Sequence, residues 1–119
     1  NTVGQFLAGA NEGGVGTYCY AVAHGFGVTP SLIRATLYCN SNDSVVGYVA
    51  GDEVDVNSAE IDNSDANLFA AWTNSAFAAV SVTNYAAGSP ANFYIPNKTG
   101  GGWNLVNTTK WNYRIRVWK

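Results

Sequence analysis

The chain has 119 residues, a mass of 12.6 kDa and a formal net charge of −2 at neutral pH. A hydrophobic fraction of 47% with only 12% charged residues excludes a disordered chain, and the mild acidity argues against non-specific binding to nucleic acid. No apolar run approaches the length of a membrane span, so a single domain with its own core and no insertion into a bilayer is expected.

Residues 1–16 open without Met or the basic region of a signal peptide and carry Gly4, Gly9, Gly13, Gly14 and Gly16. They read as a Gly-rich arm or linker, flexible or irregular, on a chain that is processed or cut from something longer. Residues 17–119 read as one domain. Short apolar runs alternate there with clusters of Gly, Asn, Ser, Asp and Pro, the sequence form of an all-β protein. Strands are expected over residues 17–23, 31–39, 53–57, 67–73, 77–84, 92–95 and 111–119, with turn chemistry over residues 25–30, 40–44, 86–90 and 96–102. The fold class that follows is an antiparallel β-sandwich of about six to eight short strands with little or no helix.

Period-two alternation sorts the faces. Trp111, Tyr113, Ile115 and Val117 fall on one side of the last segment, opposite Asn112, Arg114, Arg116 and Trp118. Ile33, Ala35, Leu37 and Cys39 share a face in the second strand, opposite Leu32, Arg34, Thr36 and Tyr38. The expected inward set is Ile33, Leu37, Trp111, Tyr113, Ile115 and Val117. Leu68, Trp72, Ala76 and Ala79 also fit one side of a helix, but Thr73-Asn74-Ser75 is poor helix interior and good turn, which favours a hairpin.

Catalytic and metal chemistry find little to build on. Cys19 and Cys39 lie on the first two expected strands, and a hairpin turning through residues 25–30 brings them together as a disulfide or as two buried thiols; both readings stay open. Two Cys and one His, at spacings no zinc motif uses, give no metal site, and no cofactor is expected. His24 has no nucleophile elbow near it and reads as a structural turn histidine. Asp52, Glu53, Asp55, Asp62 and Asp65 fail the calcium-loop template; Gly51-Asp52 reads as the turn that starts the strand at 53. The triplets Asn42-Asp43-Ser44, Asn97-Lys98-Thr99 and Asn107-Thr108-Thr109 match the glycosylation pattern, as chance provides in a chain so rich in Asn and Thr. No enzymatic activity is expected.

Charge and aromatic content are more informative. Asp43, Asp52, Glu53, Asp55, Glu60, Asp62 and Asp65 fill the middle of the chain, whereas Lys98, Lys110, Arg114, Arg116 and Lys119 fill its end. The two groups neutralise each other inside one fold, or they meet between subunits. The outward face of the last strand, with Arg114, Arg116 and Trp118, is the candidate subunit interface, since Arg and Trp are enriched at interface hot spots. A chain this short has a thin stability margin, so a homotrimer is expected, its Arg114 and Arg116 facing carboxylates of residues 52–65. Four Trp, seven Tyr and five Phe exceed what a core this size needs. Tyr85, Tyr94, Trp103 and Asn104 are the carbohydrate-contact candidates, because flat rings pack on the apolar face of a sugar while amides bind its hydroxyls.

Ala23-His24-Gly25-Phe26-Gly27-Val28-Thr29-Pro30-Ser31-Leu32, Gly47-Tyr48-Val49-Ala50-Gly51-Asp52-Glu53-Val54 and the closing Trp111-Asn112-Tyr113-Arg114-Ile115-Arg116-Val117-Trp118 resemble small C-terminal modules of bacteriophage tail-fibre and related virion surface proteins. The strand pattern is also similar to the H-type lectin sandwich, which assembles as trimers, although no residue-by-residue match to that family's sugar-binding set is present. The resemblance implies a virion structural or adhesion module, at a tail-fibre tip or on a capsid surface. It would act as a homotrimer among other virion proteins, with host surface glycan as a further partner. The alternative it leaves is a free, secreted H-type-like lectin.

Overall fold

The computed structural model describes residues 2–7, 19–56, 60–61, 68–83 and 93–119. The fold is all-β and every sheet is antiparallel. Ten strands are described: β1 (Thr2–Leu7), β2 (Cys19–Ala23), β3 (Leu32–Cys39), β4 (Glu53–Asp55), β5 (Glu60–Ile61), β6 (Leu68–Thr73), β7 (Phe77–Thr83), β8 (Phe93–Pro96), β9 (Trp103–Leu105) and β10 (Trp111–Trp118). A short 3-10 turn, Thr108–Lys110, is capped by the Asn107 side chain. The strands form three sheets in the orders β1-β10-β3-β4, β2-β7-β6 and β5-β8-β9, which pack on one shared core in a sandwich-like arrangement.

Alternation in β10 places Trp111, Tyr113, Ile115 and Val117 in the interior and leaves Trp118 exposed, while β3 contributes Ala35, Leu37 and Cys39. The second sheet faces them with Tyr20, Ala78 and Val80, and the third adds Ile95. Tyr20 and Tyr113 meet across this core with ring centroids 4.8 Å apart. Of the inward set, Ile33 is half-buried rather than buried, packed against the core in register with the buried Val117.

The Ala-rich stretch is a hairpin of β6 and β7. Its turn is closed by Asn74, whose side-chain Oδ1 accepts the N–H groups of Ala76 at 2.8 Å and Phe77 at 2.7 Å. This side-chain mimic of a backbone turn gives the segment a reason to reverse rather than coil. His24 ties the next loop to that turn. Its ring Nε2 donates to the Asn74 carbonyl at 2.8 Å, and Nδ1 accepts the Phe26 N–H at 3.1 Å. A carbonyl only accepts and a backbone N–H only donates, so the neutral ring with its proton on Nε2 is the form these bonds select.

Three expectations are corrected. Residues 2–7 are not an irregular lead-in, because they pair with β10 as the edge strand of the first sheet; residues 8–18 lie outside the described residues. Strands β5 and β9 were not foreseen, being too short to show a period of their own. The hairpin through residues 25–30 does not exist: β2 pairs with β7 whereas β3 pairs with β10 and β4. Cys39 is accordingly a free, buried thiol that donates to the Ser41 carbonyl at 2.9 Å, with its pKa raised mainly by burial. The Cys19 side chain lies outside the described residues.

Candidate functional site

The third sheet carries the site. Strands β8 and β9 form a hairpin in which Tyr94 lies in register with Leu105, Ile95 with Asn104, and Pro96 with Trp103. Register partners share a face of the sheet. Ile95 is buried in the core, so Tyr94, Pro96, Trp103 and Leu105 occupy the opposite, outward face. Trp103 keeps 52% of its surface exposed there and Leu105 is exposed as well. The connecting tip ends in Gly100-Gly101-Gly102, which have no side chains to cover the indole.

The hairpin is held rigidly from behind. Asn97 uses all of its side-chain capacity: Oδ1 accepts the Thr99 N–H at 2.8 Å and hydroxyl at 2.7 Å, while Nδ2 donates to the Val45 carbonyl at 3.1 Å and to Asn104 Oδ1 at 2.7 Å. Tyr48 donates its hydroxyl to the Pro96 carbonyl at 2.9 Å, and Lys98 donates its backbone N–H to the Val46 carbonyl. Gly47 is required at that junction: its φ is +78°, and a Cβ there would lie 2.6 Å from Thr99 Cγ2. The Lys98 ammonium lies over the Tyr48 ring, 5.0 Å from its centroid, and 2.8 Å from Asp52 Oδ2. That bond lowers the Asp52 pKa and raises that of Lys98.

Of the four carbohydrate candidates, the structure brings Tyr94 and Trp103 onto one face. Asn104 is half-buried in register with Ile95, on the other face of the hairpin, and its side-chain oxygen accepts from Asn97. Tyr85 lies outside the described residues. Pro96 and Leu105 complete the face and were missed. The signal for them was the alternation Tyr94-Ile95-Pro96 and Trp103-Asn104-Leu105 on either side of a Gly-rich turn, which reads as a hairpin once residues 103–105 are counted as a strand.

Arg114 and Arg116 are not bare. Strand β10 lies inside its sheet between β1 and β3, so their side chains run over neighbouring strands rather than off an edge. Arg116 grips Glu53 on β4 through two nitrogens, at 2.9 and 3.1 Å. Arg114 lies 3.7 Å from the same carboxylate, stacks 3.7 Å from the Tyr38 ring centroid and donates to Gln5 Oε1. Thr36 completes the network with a 2.7 Å bond to Glu53. Of the two charge readings, neutralisation inside one fold accounts for these pairs, together with Lys98–Asp52 and the looser Arg34–Asp55 at 4.0 Å. Trp118 remains exposed at 38%, in register with Leu32 at 56%.

The Glu53 network has a pH signature. The Arg116 bond, ahead of the Thr36 bond and the two guanidinium charges, holds the Glu53 carboxyl below its ordinary value of 4.5, against an opposing push from burial. A carboxyl depressed in the folded state stabilises the fold above its unfolded value and loses that contribution as pH falls through the lower, folded one. Glu53→Gln should cost about 1 kcal/mol at neutral pH, a modest figure because solvent reaches the pair, and should flatten the decline in stability from pH 4.5 downward. Urea unfolding of both proteins across that range checks it; parallel pH profiles would show that the network carries none of the acid sensitivity.

Among the described residues no three His, Cys, Asp or Glu side chains gather as a metal site, and no helix is long and apolar enough to cross a membrane. No protein-family model, curated protein or solved structure matches this chain.

Proposed function

We propose that this chain is a non-catalytic adhesion module of a virion surface, at a tail-fibre tip or on a capsid, that binds host glycan through the outward face of the β8–β9 hairpin. The carrying observation is the exposed Trp103 beside Tyr94, Pro96 and Leu105 on one rigid, Gly-tipped hairpin. Aromatic rings of this kind supply large apolar contact area at small entropic cost, and a face left open on a small domain calls for a partner. The assignment to a virion rests on the three stretches that resemble phage appendage modules. The module acts as a homotrimer, in which three weak sugar contacts add by avidity. With Arg114 and Arg116 engaged in their own chain, its subunit boundary narrows to the corner formed by Trp118 and Leu32.

Trp103→Ala removes an exposed side chain and should leave the unfolding midpoint nearly unchanged while lowering glycan affinity at least tenfold on an array. Equal array signals from both proteins, or none from either, would overturn the proposal. Light scattering at micromolar concentration should return the mass of three chains; a stable monomer would remove the trimer from it.

A further inference from the structure

We infer that the hairpin face recognises the body of a neutral, polymeric glycan by stacking, and does not read the hydroxyl pattern of a terminal sugar. This rests on the glycan-binding reading above and concerns which class of glycan the site takes. A site for a terminal sugar is concave and presents oriented, uncommitted hydrogen-bond groups, whose pairing supplies the discrimination. The groups that border this face are committed elsewhere. Asn97 makes four bonds, all within the protein. The Thr99 hydroxyl is bound to Asn97, the Tyr48 hydroxyl to the Pro96 carbonyl, and the Asn104 carbonyl oxygen is held on the far side of the sheet. Residues 100–102 are glycines. The described platform offers carbon, the Tyr94 hydroxyl and the Trp103 indole N–H.

Its dimensions suit a chain. The Tyr94–Leu105 row and the Pro96–Trp103 row are two residues apart along the strands, about 7 Å, a step of the order of one sugar residue in an extended glycan. Successive rings of a polymer can therefore each rest on one row, whereas a single sugar covers only one. Charge selects among polymers. The one cation of the hairpin, Lys98, is turned toward Tyr48 and neutralised by Asp52. An anionic polymer thus meets no free cation on the described hairpin face, so the occupant is neutral.

The test is calorimetric titration of the intact protein with neutral hexasaccharides (chito-, cello-, malto- and mannohexaose), each beside its own monosaccharide, and with hexamers of hyaluronan and polygalacturonate. At least one neutral hexamer should bind ten times or more tightly than its monosaccharide, with an affinity that changes less than twofold between 50 and 500 mM salt. Trp103→Ala should abolish it. A monosaccharide within threefold of its hexamer, or an anionic hexamer binding tightest, would overturn this inference and leave the glycan-binding reading standing. Failure of every saccharide would sink both. Loss of self-association in Trp103→Ala, seen by sedimentation without any saccharide binding, would assign the face to a second copy of the chain instead.

Discussion

Asp43→Ala is expected to destabilise the domain by about 3–5 kcal/mol, a large fraction of the 5–15 kcal/mol that holds a domain together. Asp43 is 1% exposed, and its Oδ2 accepts both the indole N–H of Trp111 at 2.9 Å and the backbone N–H of Asn107 at 3.0 Å. Its own carbonyl accepts the N–H groups of Gly47 and Tyr48, which closes the turn that backs the β8–β9 hairpin. Alanine would deprive the buried indole N–H of Trp111 and the part-buried N–H of Asn107 of their acceptor, at a cost of about 1–3 kcal/mol each. Asp43→Asn keeps an oxygen in place and should cost much less. Trp111→Phe, which removes one donor, closes a double-mutant cycle with an expected coupling of about 1–3 kcal/mol. Urea unfolding of the set reads all of these; a loss below about 1 kcal/mol in Asp43→Ala would mean that the two N–H groups find other partners.

Ile115→Ala should cost about 2–5 kcal/mol, the range for a buried aliphatic side chain whose cavity only partly collapses. Ile115 is fully buried on the central strand β10, in register with Ala35 on one side and Gly4 on the other, and belongs to the core shared by all three sheets. Neither flanking residue has a side chain long enough to fill the space, which places the cost in the upper part of the range. Arg116→Ala, one residue along on the opposite face, removes a partly solvated ion pair and should cost about 1 kcal/mol. A loss below about 0.5 kcal/mol for Ile115→Ala would reverse the assignment of the two faces.

The two contrasts mark where the sequence is a reliable guide. The alternation of Trp111, Tyr113, Ile115 and Val117 identifies a buried face because eight residues of strand repeat the pattern four times. The turn at Asn74 is legible because its side chain bonds to N–H groups only two and three residues ahead, a local interaction that any partner leaves intact. The triplets Asn97-Lys98-Thr99 and Asn107-Thr108-Thr109, read as chance glycosylation patterns, have a local cause of the same kind. In both, the Asn oxygen accepts the N–H and hydroxyl of the Thr two residues on, which makes Asn-x-Thr a turn device here.

What depended on distant residues was misread. The glycines of residues 1–16 suggested a linker, yet residues 2–7 form a strand because β10 offers them a row of backbone partners. Strand β9 has three residues and takes its identity from pairing with β8, so the platform around Trp103 was visible only as scattered aromatics. The pairing of β2 with β7 rather than β3 removed the hairpin expected to join the two cysteines, and the position of β4 delivered Glu53 to Arg114 and Arg116, which sequence alone leaves open to another subunit. The sequence by itself determined the all-β class, the positions of β2, β3, β6, β7, β8 and β10, the turn at Asn74 and the buried face of β10, since these follow from local sterics and from a period of two. The tertiary structure decided strand order, charge pairing and the candidate binding face, because each is set by which segments, far apart in the chain, satisfy one another's hydrogen bonds and apolar surfaces.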